Sequence, residues 1–206
     1  MLTATTYPGP SLASLLRCTI GVFFLISFTT DAQGQQPSRY VVTPQFTDGA
    51  SSVHAADLDG DGDNDLLSAS NRDDKIAWYE NFEGEIGSQQ IISVDANEPE
   101  SVHAADLDGD GDLDVLSASY QSNELAWYEN LDETRDFSRK KVIATDGTWD
   151  VFAADLDGDG DMDVLSASPF YDEVLWYENG GSGAFSGEKS ISSIADSAYA
   201  VHDADV

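Results

Sequence analysis

The chain has 206 residues and carries 39 acidic against 9 basic side chains, a formal net charge of −30 at pH 7. Such a surface repels nucleic acid and anionic membranes, which excludes both as partners. The length suits one domain or part of a larger one, and a single cysteine, Cys18, leaves no disulfide framework.

In chain order, residues 1–34 read as a secretory signal. Arg17 precedes an apolar run from Thr19 to Phe28, and Ala32-Gln33-Gly34 offers small residues before a cleavage point. The run is too short to span a bilayer. Cys18 stands before it rather than after it, so it is not placed for lipid attachment. The expected location is secreted or extracellular, with the periplasm or the cell surface as variants. The remainder, 35–206, sustains no helical period and is predicted to be all-β.

That remainder is organised around one acidic nonapeptide. It reads Asp57-Leu58-Asp59-Gly60-Asp61-Gly62-Asp63-Asn64-Asp65 and returns at Asp106–Asp114 and Asp155–Asp163, each copy 49 residues after the last. A hard cation such as Ca²⁺ takes several oxygen ligands in a flexible shell, and alternating carboxylates on a tight loop supply them. Position 7 (Asp63, Asp112, Asp161) is expected to offer its backbone carbonyl and leave its side chain in solvent. Gly60 and Gly62 allow positive φ, so the loop can coil around an ion. Without a cation the loop crowds like charges together, which favours filling it. About three Ca²⁺ ions are expected, leaving the chain at about −24. The loop is not an EF-hand: position 12 is Ser68, Ser117 or Ser166 rather than Glu, and the flanks are strand-like. No Cys or His lies within any copy, so zinc is not expected.

Everything between the copies repeats as well. Each unit has four short runs rich in β-branched and aromatic residues, punctuated by Gly, Asn and Asp. In the first unit these are Val53–Ala56, the run ending Leu66-Leu67-Ser68-Ala69-Ser70, Ile76–Asn81 and Gln90–Val94. A four-stranded unit of about 40 to 50 residues, repeated, points to propeller blades. Blades pack through both faces, so their strands should be apolar on both sides. Small Ala residues in the first strand suit the crowded centre.

The runs "DLDGDGDNDLL", "DLDGDGDLDVL" and "DLDGDGDMDVL", each followed by "WYEN", resemble FG-GAP or VCBS-type repeats, related to the integrin α-chain propeller. The resemblance covers roughly residues 39 to 206. It implies a Ca²⁺ ion in each loop between the first and second strands of a blade. The implied ligand positions are Asp57, Asp59, Asp61, Asp63 and Asp65; Asp106, Asp108, Asp110, Asp112 and Asp114; and Asp155, Asp157, Asp159, Asp161 and Asp163.

Blades are expected over 52–94, 101–145 and 150–194. An orphan strand over 40–45 matches the fourth strand of a preceding blade, and one over 201–206 matches the first strand of a following blade. Closed propellers use about four to eight blades, so the expected form is an open or incomplete arc of about three. Its uncovered blade faces predict self-association.

Other repeated residues read as structural. His54, His103 and His202 share one strand position with Phe152, which points to a volume requirement. The Trp-Tyr pairs at 78–79, 127–128 and 176–177 suit interblade core. Glu80, Glu129 and Glu178 give one carboxylate per blade, which is no glycosidase pair. No active site is visible and no enzyme activity is expected. The predicted function is a calcium-binding module for an extracellular glycan or protein. The alternatives are a non-catalytic scaffold within a polysaccharide-acting enzyme and a purely structural repeat. The ligand surface is expected opposite the acidic loops, where the tips vary: Asn71–Lys75, Gln121–Glu124 and Pro169–Glu173. Tyr120, Trp149, Phe170, Tyr171 and Tyr199 fall there.

Overall fold

The computed structural model describes residues 47–131 and 136–202. The expected signal over 1–34, the strand over 40–45 and residues 203–206 of the expected final strand lie outside the described residues. Among those described, no helix is long and apolar enough to cross a membrane.

Among the described residues, twelve strands form three sheets. The first holds β1 (Ala50–Ala56), β2 (Asp65–Ser70), β3 (Lys75–Phe82) and β4 (Glu85–Ser93). The second holds β5 (Pro99–Ala105), β6 (Asp114–Ser119), β7 (Glu124–Tyr128) and β8 (Lys141–Ala144). The third holds β9 (Asp150–Ala154), β10 (Asp163–Ser168), β11 (Glu173–Tyr177) and β12 (Lys189–Ser192). Each sheet is an antiparallel meander in sequence order, and the three stand side by side as blades of an open arc. The first strands line the inner side, with β1 against β5 and β5 against β9. There the rings of His54 and His103 lie 4.4 Å apart, and His103 and Phe152 lie 4.6 Å apart.

Strand alternation gives every blade two different apolar faces. Leu67, Ala69, Ile76 and Trp78 point one way from the first blade and meet Val102, Ala104, Val115 and Tyr128 of the second. The same pairing recurs one blade on: Leu116, Ala118, Leu125 and Trp127 meet Val151, Ala153, Val164 and Tyr177. The second strand of each blade is therefore buried along its whole length. On the far side of the third blade, Leu165, Ala167, Val174 and Trp176 gather with Val201 and Ala198.

The outer strands depart from strict repetition. In the first blade Glu83 and Gly84 have φ of 51° and 90°, the two positive values that a two-residue hairpin turn of type I′ requires. This lets β4 begin at Glu85, earlier than the expected Gln90. In the second and third blades only isolated bridges, Asn130 to Phe137 and Asn179 to Phe185, form at that level. The fourth strand of the third blade ends at Ser192 rather than Ile194, and Val201-His202 are not in a strand.

Candidate metal centres

Each acidic nonapeptide connects the first two strands of its blade, and its geometry follows from side chains bonding the loop's own backbone. In the second loop the position-1 carboxylate of Asp106 accepts from the Gly109 and Gly111 N–H groups at 2.8 and 3.1 Å. Asp155 repeats this with Gly158 and Gly160 at 2.8 and 3.1 Å. In the first loop Asp57 accepts from Gly62 N–H at 3.0 Å. The next two aspartates each accept from the N–H two residues on: Asp61 to Asp59 at 3.3 Å and Asp63 to Asp61 at 2.9 Å, with the same pairs in the other copies. Asp and Asn favour such local bonds. Gly60 and Gly62 take φ of 73° and 97°, and nothing lies within 4 Å of where a Cβ would sit. Backbone conformation, not crowding, requires glycine here.

These bonds turn oxygens of several carboxylates toward one point. Ligand atoms of Asp57, Asp59 and Asp61 lie within 4.8 Å of one another, as do those of Asp106, Asp108 and Asp114, and of Asp155, Asp157 and Asp159. Asp57 Oδ1 is buried and accepts no hydrogen bond, which is costly for a carboxylate oxygen unless a cation meets it. The donor set is oxygen only, as a hard cation demands. The clusters can hold a metal ion.

The position-9 aspartates do something the spacing did not reveal. Asp65 is buried, accepting Leu58 N–H at 3.0 Å on one oxygen and Asn81 N–H at 2.8 Å on the other. Asp114 does the same with Leu107 and Asn130, and Asp163 with Leu156 and Asn179. Each thus staples the start of the loop to the end of the third strand. Burial, ahead of the neighbouring acidic charges, pushes the carboxyl of Asp65 up to about 6 and that of Asp114 up to about 7. In the second loop the stapling Asp114 also belongs to the cluster, so a bound cation would offset that burial directly. Asp63 likewise departs from expectation: its side chain accepts the Glu83 N–H at 2.8 Å instead of standing in solvent, because the first blade's hairpin turn folds back over the loop.

The asparagine closing each "WYEN" run is the functional residue that sequence reasoning passed over. Asn130 Nδ2 donates to Leu58 O, 72 residues back in the preceding blade's loop, at 2.9 Å, and also to Leu113 O. Asn179 donates to Leu107 O at 2.7 Å and to Met162 O at 3.0 Å. The side chains of Leu58 and Leu107 are buried in the two interblade cores. An acidic loop is therefore gripped by the blade that follows it. The recurrence of Asn81, Asn130 and Asn179 at one position was the available signal.

The repeated glutamates and tryptophans occupy structural places. Lys141 pairs with Glu129 at 2.8 Å, and Lys189 with Glu178. The same lysines lie over Trp127 and Trp176, at 4.1 and 4.3 Å from the ring centroids.

The tips opposite the loops bring together most of the aromatics expected there. Tyr120 lies 5.5 Å from Trp149 and 5.1 Å from Phe170, and Trp149 lies 5.9 Å from both Phe170 and Tyr199, between ring centroids. Tyr171 sits apart, packed over Gly147, whose φ is 77° and whose missing Cβ would fall 2.3 Å from the ring. Beside this group Asn71, Arg72, Asp74, Glu98 and Gln121 line an open cleft of about 470 Å³.

Among solved structures, the chain is similar to a lectin from Agrocybe aegerita described for specific recognition of non-reducing terminal N-acetylglucosamine. The identity is 20 % and the TM-score 0.50, over 66 % of this chain and 37 % of the lectin. A second similarity is to the V. cholerae biofilm matrix protein Bap1, at 24 % identity and a TM-score of 0.32, over 65 % of this chain and 27 % of that one. The chain thus spans well under half the length of either. No curated protein matches the sequence. The lectin shares the arrangement of blades, and the family is carried by the repeat itself. The FG-GAP-like repeat pattern matches residues 57–117 and 106–166, more than half of the sequence, and the chain belongs to the FG-GAP-like repeat family.

Proposed function

We propose that this chain is a secreted, calcium-binding propeller module that binds an extracellular glycan or protein and carries out no catalysis. The observation that carries the reading is the triple recurrence of convergent carboxylates, one set per blade, with a buried oxygen of Asp57 left without a hydrogen-bond donor. Ca²⁺ suits it better than Mg²⁺, since a loop of alternating carboxylates and backbone carbonyls gives a flexible, many-oxygen shell. The ions are structural. The bonds that shape each loop come from its own nonapeptide and from the strand end it is stapled to. The fold shared with a lectin supports the glycan reading, and the signal-like segment at 1–34 supports export. Association of copies through apolar blade faces, such as the group around Phe152, Val174 and Trp176, is a further expectation.

Three measurements test this. Native mass spectrometry in calcium should count three ions per chain, and Asp108→Ala should remove one. Glycan and protein arrays probed with the calcium-loaded chain should yield a ligand, while incubation with polysaccharides should release no new reducing ends. Metal-free spectra at saturating calcium would sink the calcium reading, and turnover would sink the non-catalytic one.

A further inference from the structure

We infer that the tip face is a carbohydrate-binding surface, built by the aromatic group between the second and third blades together with the polar cleft between the first and second. The inference rests on the reading of the chain as an extracellular binding module. It adds where the ligand sits and which glycans are excluded.

The repeat does not need these rings. Tyr120 and Trp149 occupy the positions that Asn71 and Glu100 hold one blade earlier, 49 residues back. There Asn71 donates to Glu100 at 3.1 Å, a polar contact that closes the same interblade notch. Two side chains suffice at that notch, whereas four aromatic rings gather at the next and remain in contact with water. Tyr120 is 37 % exposed, Phe170 57 % and Tyr199 56 %. Their contacts hold them as a contiguous plate rather than scattered apolar residues.

The cleft adjoins the plate through the backbone. Tyr120 N–H donates to Glu98 O and Gln121 N–H to Asn97 O, so the residue that starts the plate and the wall of the cleft belong to one turn. The cleft is lined by amides and carboxylates, Asn71, Gln121, Asp74 and Glu98, with one cation, Arg72. Such planar groups accept from hydroxyls. A pyranose presents an apolar C–H face to an aromatic ring and a rim of hydroxyls to such a wall, so plate and cleft match its two chemistries. A few placed polar groups beside an apolar surface are what orient a small ligand.

Charge decides the class of glycan. Among the described residues the cations that reach the tip segments are Arg72, Lys75 and Lys140, paired with Asp48 at 3.6 Å, Asp73 at 2.8 Å and Glu124 at 2.8 Å. Asp146 and Asp172 add carboxylates around the plate, holding Thr148 and the Ser197 N–H respectively. Each cation already faces a carboxylate for which a uronate or a sulfate would have to compete, and the net charge of −30 repels a polyanion at longer range. The ligand is therefore a carbohydrate chain without acidic groups.

The test is calorimetric titration of the full chain, at saturating calcium, with chitohexaose, cellohexaose and mannohexaose as neutral probes. An oligogalacturonate serves as the acidic probe and an oligolysine as a cationic peptide. At least one neutral hexasaccharide should bind and the oligogalacturonate should not. Trp149→Ala and Phe170→Ala should each weaken binding about tenfold or more, the loss expected of an aromatic anchor. Phe170 is exposed, so its variant should melt like the parent, which separates lost contact from lost fold. Ile91→Ala, on an outer strand, should bind as the parent does. Glycan binding that survives both aromatic substitutions overturns this site and leaves the module reading standing. Preference for oligogalacturonate or oligolysine overturns the ligand class. Silence toward every probe and on the arrays overturns both.

Discussion

The first two acidic loops and the third are nearly identical in sequence and differ in what holds them. Leu58 and Leu107 are 4 % and 1 % exposed, inserted into interblade cores, and their carbonyls are gripped by Asn130 and Asn179. Leu156, at the same position of the third loop, is 40 % exposed, with no described blade beyond it. The local bonds are unchanged: Asp155 and Asp159 hold the same backbone groups as their counterparts in the second loop. The loop therefore shapes itself from its own nonapeptide, and the next blade adds a separate, cooperative grip. In the first two blades an acidic loop is also a joint.

The largest expected effect separates the loops at their leucines. Leu107→Ala should destabilise by about 3–5 kcal/mol, the range for emptying a packed core position. Leu156→Ala should stay within about 0.5 kcal/mol, as surface changes do. Urea unfolding of the two variants side by side reads the difference, and equal costs would mean that the grip is not what distinguishes them.

Loss of a single calcium site comes next, although removal of all three together would exceed any one substitution. At a free concentration 100 times Kd each ion stabilises by about 2.7 kcal/mol, so a chelator should lower the melting temperature clearly. The comparison sharpens when one site is lost at a time: Asp108→Ala, in a gripped loop, should lower Tm further than Asp157→Ala in the third. A scanning calorimetry trace indifferent to chelation would remove the ions from the account of stability.

The asparagine grip should be smaller again. Asn179→Ala removes the bonds to Leu107 O, which keeps the Gly183 N–H at 3.1 Å, and to Met162 O, at about 0.5–1.5 kcal/mol for each hydrogen bond lost. Asn81→Ala should cost less, because among the described residues that amide donates to the exposed Asn64 O within its own blade. If the two variants unfold at the same denaturant concentration, the bond across blades contributes nothing of its own.

The last test, confined to acid pH, concerns the inner column. Burial, and then the nearby charge of His54, lower His103 to about 4 in the folded chain. The unfolded chain takes up that proton first as pH falls from about 6.5. The contribution of His103 is therefore fully present above about pH 6.5 and lost as pH falls through about 4. His103→Phe, which copies Phe152 of the third blade, should lose less stability over that window than the parent. Taking the difference between the two at each pH cancels the titration of the shared acidic loops, and parallel pH profiles would rule His103 out.

The sequence by itself determined what depends on near neighbours along the chain. The 49-residue period, the four strands per blade and the coiling of Asp57–Asp65 rest on alternation, turn chemistry and bonds spanning two to five residues. Such relations are written in the local order of residue types. The family resemblance, carried by the same local runs, was legible for the same reason. Only the tertiary structure decided what depends on one blade meeting another. Asp65 holds the Leu58 N–H of its own loop with one oxygen and with the other reaches an N–H 16 residues on. Asn130 reaches a carbonyl 72 residues back. Tyr120, Trp149, Phe170 and Tyr199 share a tip face by the topology of a blade, but which rings touch depends on the angle between sheets. That angle is set by side-chain packing across the interblade cores, such as Leu67 and Trp78 against Val115 and Tyr128, a many-body arrangement that no short stretch of sequence encodes.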